Sequence, residues 1–207
     1  MEKRSETGHR GHRERLLEAA IVCLREEGYA RTTARDLVAA SETNLASIGY
    51  HFGSKENLLN AALVEAFRRW LDPLVALAAE PGPQTPLERL QRSLSAGMAT
   101  LEENRSLIAS ALEAWAQMSR SEELRAALER SYQEFHEAIA MTTRAAFAEL
   151  GQEEVDADAL ATLIIALFDG LLVRWQLDRE RAPSAERLVG AADRALAALA
   201  GARASAP

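Results

Sequence analysis

An all-α fold of about nine helices, an N-terminal group of three in front of a larger C-terminal helical bundle, is predicted by three observations. Ala, Leu, Glu and Arg, all strong helix formers, dominate the 207 residues. No stretch sustains period-two alternation with β-branched enrichment, so no sheet is expected. Apolar residues instead recur at i, i+3 and i+4 through one segment after another, the spacing of a helix with one buried face.

The first helix is expected from about Gly11 to Glu27, on a stripe of Leu16, Leu17, Ala20, Ile21 and Leu24, with Gly28 as the left-handed residue that ends it. Thr33 and Asp36 stand three apart, a capping box that opens a short helix ending near Ala40. After Ser41-Glu42-Thr43, Asn44 is a good N-cap for a second short helix through about Tyr50. Gly53 punctuates, and Ser54 caps a helix from Lys55 to roughly Ala79, which Pro73 should kink or end early. Pro81-Gly82-Pro83-Gln84-Thr85-Pro86 is a loop. Five further helices are expected over 86–103, 105–118, 121–150, 156–179 and 184–201, the fourth boundary marked by Gly151 and the last by Pro183 and Ser184.

Lys and Arg total 24 against 31 Asp and Glu, a net charge of −7. Residues 1–60 hold nine of each sign, so the remaining 147 carry the whole imbalance. Any nucleic-acid contact must therefore come from a local surface rather than from the overall field. The single cysteine, Cys23, excludes an internal disulfide, a paired redox motif and a cysteine-rich zinc site, and reads as a small core residue. No apolar run approaches the roughly 18 residues of a membrane span, and no secretory leader is recognised, so a soluble, cytoplasmic protein with no membrane partner is expected. His9 and His12 stand at i, i+3, but nothing nearby completes a metal site, and none is expected. His136 reads as a surface histidine. No Ser-His-Asp order, Gly-rich phosphate loop or HExxH motif occurs, so neither an enzyme nor a cofactor is expected.

Two short helices joined by a tight turn behind a longer one make a helix-turn-helix. A recognition helix of seven or eight residues is about 11 Å long and fits the major groove. The string Thr32-Thr33-Ala34-Arg35-Asp36-Leu37-Val38-Ala39-Ala40, followed by Ser47-Ile48-Gly49-Tyr50-His51-Phe52-Gly53-Ser54-Lys55-Glu56-Asn57-Leu58-Leu59, resembles the DNA-binding region of the TetR family of transcriptional regulators. The likeness is detailed over about residues 10–60. It implies a DNA-binding domain at 1–55 and a ligand-binding and dimerisation domain at 56–207.

Carried over position by position, the resemblance implies that Thr33 and Arg35 contact phosphate and sometimes a base. Asn44 caps the recognition helix where the family has Ser, and Leu45, Ala46 and Ser47 face base edges. Tyr50 and His51 reach the backbone from the end of that helix, Tyr50 having packing on the motif as its alternative. Lys55 clamps a phosphate at the start of the next helix, where free N–H groups also attract an anion. Ile48 and Phe52 read as core. Arg10, Arg13 and Arg15 either form an arm that reaches DNA or lie on a solvated terminus. The sequence departs from the family at the turn, where Glu42-Thr43 replaces Gly and an apolar residue, so Glu42 must tolerate near left-handed geometry. It departs again at Gly49, where an aromatic and its DNA contact are missing.

The later helices carry apolar stripes, first of all core. The resemblance implies an effector pocket among them, with Met98, Trp115, Met118, Tyr132, Phe135 and Trp175 as its lining. Residues 159–173 hold one charge, Asp169, so that helix must be covered on more than one side. Pairing of the last two helices with their copies, through Leu163, Leu167, Leu171, Ala195 and Leu199, would cover it in a homodimer, as the family does; the alternative is a central core helix in a monomer. The implied function is a ligand-responsive repressor that binds a palindromic double-stranded DNA operator and is released by a small, largely apolar effector. The rival reading is a helical protein-interaction module whose helix-turn-helix is structural only.

Overall fold

The computed structural model describes residues 3–80, 82, 84–118 and 121–204, with backbone alone at 3–10, 117, 196 and 199–204. Its described elements are α1 (Lys3–Glu26), α2 (Ala34–Ser41), α3 (Leu45–Phe52), α4 (Lys55–Ala79), α5 (Pro86–Ala99), α6 (Arg105–Gln117), α7 (Glu122–Ala148), α8 (Ala157–Leu177) and α9 (Ala185–Ala204). The fold is all-α, and no strand occurs among the described residues.

Two boundaries differ from the sequence expectation by more than three residues. Helix α1 begins at Lys3 rather than Gly11, because its first turns carry no apolar stripe from which a periodicity could be read. Helix α5 stops at Ala99 rather than 103. There Thr100 leaves helical geometry at φ −100°, ψ 4°, and its hydroxyl donates back to the Gly97 carbonyl at 2.9 Å. Pro73 does not end α4, which runs through it to Ala79. Proline removes one ladder bond, and the Leu, Val and Ala residues that follow sustain the helix.

The chain packs as two compact units, the first comprising residues up to Trp70 with Glu103–Phe135, the second Leu71–Glu102 with the residues from His136 on. In the first, α1 packs on α2, α3 and α6. Leu16, Leu24, Leu37, Leu58, Leu59, Leu63, Leu107 and Ile108 are fully buried there, each worth about 1.5–3 kcal/mol of transfer. Gly28, at φ 85°, ends α1 as expected. The next residue, Tyr29, ties three segments together: its backbone N–H donates to Ser110 Oγ at 3.1 Å and its hydroxyl to Asn60 Oδ1 at 2.7 Å. Burial pushes the Tyr29 hydroxyl above the usual phenol range.

A charged network joins α1 to α4. Arg69 donates to both carboxylate oxygens of Glu18, at 2.8 and 2.5 Å, and to Glu65 at 2.7 Å, while Arg68 also donates to Glu65. Hydrogen bonds from Arg68 and then Arg69 outweigh desolvation and lower the Glu65 carboxyl to about 2.

In the second unit α5 packs on α9. Thr85 and Glu88 form the capping box of α5, and Asp156 caps α8 by accepting from the Ala159 N–H at 3.0 Å. A Cβ on Gly97 would sit 3.0 Å from Leu74 Cδ1, so the end of α4 approaches α5 where a side chain is missing. Buried Arg89 pairs with Glu149 at 2.9 Å. His136, expected at the surface, is half-buried, and its Nε2 lies 3.0 Å from the Asp158 carbonyl and 3.1 Å from Thr162 Oγ1, anchoring α7 to α8. Cys23 is buried, as its apolar neighbours suggested.

Candidate nucleic-acid interface

The helix pair α2–α3 is set by local hydrogen bonding. Thr33 is extended at φ −100°, ψ 160°, and its hydroxyl accepts from the Asp36 N–H at 3.3 Å. The Thr33 N–H and hydroxyl in turn donate to Asp36 Oδ2 at 2.8 and 2.7 Å. These bonds, the hydroxyl's first, hold the Asp36 carboxyl below its ordinary range. The carboxylate therefore stays charged at the N-terminus of α2, where the helix dipole favours it.

Glu42 ends α2 at φ 52°, ψ 40°, the left-handed geometry that its replacement of glycine demanded. Its N–H reaches the Ala39 and Val38 carbonyls. Ser41 Oγ donates to Leu37 O at 2.6 Å and lies 2.8 Å from Thr43 Oγ1, closing the turn. Asn44 then caps α3, its Oδ1 accepting from the Ser47 N–H at 3.0 Å and from the Ser47 hydroxyl at 3.2 Å.

Packing on α1 and α2 sets the phase of α3. Ser47 (8% exposed) and Ile48 turn inward, whereas Leu45 (57%), Ala46, Gly49 and Tyr50 (73%) face solvent. Ser47 thus stands apart from the outward group with which the sequence placed it. Tyr50 is far from buried, and its ring meets His51 edge-on at 4.9 Å. Phe52 is half-buried beneath the Arg13 guanidinium, 5.2 Å from its ring centroid. Arg10 lies where only backbone is described; Arg13 and Arg15 are exposed.

At the C-terminus of α3, Gly53 (φ 78°) donates to Gly49 O at 3.0 Å, and Ser54 Oγ accepts from the Asn57 N–H at 3.0 Å to start α4. Lys55 follows. Its ammonium donates to the Thr32 carbonyl at 3.2 Å and lies 3.5 Å from Glu56. Sequence reasoning missed the Thr32 bond, which crosses 23 residues. Thr33, Arg35 and Asn44 are exposed, and His51 and Lys55 are half-buried.

The residues proposed for the effector fall in both units. Trp115, Met118, Tyr132 and Phe135, all half-buried, belong to the first, and the Trp115 and Tyr132 rings lie 6.4 Å apart. Half-buried Met98 and buried Trp175 belong to the second, where the Arg179 guanidinium covers the Trp175 ring at 4.9 Å. None of the six lines the open cleft of about 690 Å³ between α1 and the end of α2, which includes His12, Glu18, Val22 and Glu42. On α8, Leu163 (62% exposed) and Leu167 face outward, but Leu171 is buried within its own unit. Ala195 is exposed, and the Leu199 side chain lies outside the described residues. Among the described residues no cluster fit to hold a metal ion occurs, and no helix is long and apolar enough to cross a membrane.

A supporting α1, a short α2, a tight turn and an α3 with one face bare define a helix-turn-helix head of the kind that enters a DNA groove. The sequence profile of bacterial regulatory proteins of the tetR family matches residues 16–62, and that of the C-terminal region of BetI-type transcriptional repressors matches residues 86–201. The chain belongs to the TetR family and is a DNA-binding transcriptional regulator. It is similar to the HTH-type transcriptional repressor DhaR of Mycobacterium sp. (strain GP1), with 28% identity over 180 residues covering 83% of this chain and 85% of that protein. Among solved structures it resembles a chain described as a TetR-family transcriptional regulator from Rhodococcus sp., with a TM-score of 0.65, 25% identity and coverage of 88% of this chain and 97% of that one. It also resembles a transcriptional regulator from Saccharomonospora viridis in complex with choline, with a TM-score of 0.59, 27% identity and coverage of 88% and 93%.

Proposed function

We propose that the chain is a homodimeric repressor that binds a near-palindromic operator and leaves it when a small, largely apolar effector binds. The observation that carries the reading is the bare outward face of α3, which starts at the Asn44 cap and is flanked by the exposed N-terminus of α2. In this reading residues 1–55 form the DNA-binding domain and 56–207 the ligand-binding and dimerisation domain. Thr33, Arg35, Tyr50, His51 and Lys55 hold phosphates, and Leu45, Ala46 and Gly49 face the bases. An ammonium has three protons, so Lys55 can keep its bond to Thr32 and still donate to a phosphate.

Dimerisation is supported by α8, where Leu163, Ala166, Leu167, Gly170 and Leu177 are exposed at helical spacing. Apolar surface of that kind is stabilised by burial against a second copy. A twofold dimer presents two α3 helices, so the half-sites should lie about one helical turn apart. The repressor sense follows the BetI-type profile and the similarity to DhaR. A small-molecule effector is supported by the choline complex of the Saccharomonospora relative and by the partly buried aromatics Trp115 and Tyr132. The effector acts through its differential affinity for two conformations, and α4, which starts at the Lys55 contact, is the element that relays the change.

The test is selection from a random duplex library with the purified protein, repeated in the presence of candidate effectors. An enriched inverted repeat, lost when one effector is added, is the expected result. No enrichment at low salt from folded protein would return the interaction-module reading to the front.

A further inference from the structure

The face that α3 leaves bare has a narrow chemistry. Leu45, Ala46, Gly49 and Tyr50 are its exposed residues, and none carries a charge or an amide. Nothing lies within 4 Å of where a Gly49 Cβ would be, so the groove side is open at that point. The Ser47 and Thr43 hydroxyls are committed inward, to Asn44 Oδ1 and Ser41, and the Tyr50 hydroxyl and His51 imidazole are the groups assigned above to phosphate. Asn44 is the one amide at the tip of the helix. Its Oδ1 already accepts two hydrogen bonds, from the Ser47 N–H and the Ser47 hydroxyl. A carbonyl oxygen has two lone pairs, so outward Asn44 offers only the protons of Nδ2.

What remains for the bases favours one of the four base edges. Adenine presents an acceptor and a donor, and an asparagine reads it by answering both; the capping Oδ1 cannot answer the donor. Cytosine presents a donor, and α3 exposes no carboxylate to accept it. Guanine presents two acceptors, commonly read by a guanidinium; the one guanidinium of the two motif helices, Arg35, stands on α2. Thymine presents an acceptor, O4, beside the C5-methyl. A donor next to exposed aliphatic carbon is its complement. Resting on the reading of α3 as the major-groove helix, we infer that α3 recognises its half-site through thymine, with Leu45 and Ala46 packed on C5-methyl groups and Asn44 Nδ2 donating to O4.

The experiment starts from the operator enriched by the full-length protein. Each thymine of a half-site is replaced by deoxyuridine, which removes the methyl and keeps O4, or by 5-methyldeoxycytidine paired with guanine, which keeps the methyl and replaces O4 with an amino group. At thymines facing α3, deoxyuridine is expected to weaken binding about fourfold, the worth of one buried carbon. Leu45→Ala should make the protein indifferent to deoxyuridine at the position Leu45 covers; Leu45 is exposed, so this variant leaves the core intact. Asn44→Ser keeps a capping hydroxyl but loses the amide, and should shrink the penalty for 5-methylcytosine. An operator bound equally well with deoxyuridine throughout, or one with no thymine opposite α3, overturns thymine readout and leaves the regulator standing. A library that yields no enriched operator from folded protein overturns both.

Discussion

Glu42 sits in left-handed backbone geometry at φ 52°, ψ 40°, where a residue with a Cβ costs about 1–2 kcal/mol. Glycine relieves that strain but loses more chain entropy on folding. Glu42→Gly is therefore expected to raise stability by about 0.5–1 kcal/mol, read as a higher urea midpoint at constant slope. A lower midpoint would mean that the Glu42 side chain contributes more than its backbone costs. The strain was legible through the family resemblance, because the family's turn carries glycine where this chain has Glu42. The direction of Ser47 was not. Which face of an eight-residue helix is buried depends on packing with its neighbours, and α3 buries Ser47 and Ile48. Lys55 was recognised as a cation at a helix start, but its bond to the Thr32 carbonyl depends on packing. Lys55→Ala should weaken binding to all duplexes alike and reduce the salt slope of log affinity by about one. A slope that does not move would assign Lys55 to the Thr32 contact alone.

Among elements, those with caps and periodicity together were read well. Thr33 and Asn44 each precede a helix and accept from the backbone N–H three residues on; the Thr85 cap of α5 was not read from the sequence. The misread boundaries lack such signals: the first turns of α1 bear no stripe, and the end of α5 depends on Thr100 folding back on Gly97. What joins one element to another was not readable at all. Tyr29 meets partners 31 and 81 residues away, and Arg69 meets Glu18 across 51. The last of these has a pH signature. The Glu65 carboxyl falls from 4.5 to about 2, and Glu18 is also lowered by Arg69. A carboxylate depressed in the folded state adds stability above its unfolded value and loses it as pH falls towards the folded one. The network should thus be at full strength above about pH 4.5 and fade towards pH 2. Urea melts of the wild type and Glu65→Gln, taken from pH 6 down to 3, should converge as the pH drops. A constant gap would show that Glu65 acts by packing rather than by charge.

At the scale of the whole molecule, the all-α class and family were available from composition and one string of residues, because helix propensity and the motif are local properties. The division into packing units at Trp70 and Glu102 was not, since α4 and α7 each run through both units and leave no break in the sequence. Dimerisation belongs to this scale. The double change Leu163→Glu, Leu167→Glu places charges on the exposed face of α8 and should yield a folded monomer by sedimentation, with operator affinity greatly reduced. A dimer that survives it would direct attention to another surface. A different use follows from Cys23, the chain's single thiol, buried in α1 with its pKa raised by burial. A thiol reagent can react only when the segment around it opens. The natural protein therefore carries its own clock for the opening of its DNA-reading end. With no engineered label, the rate of modification counts how often α1 loosens, and bound duplex should slow that count in proportion to its occupancy.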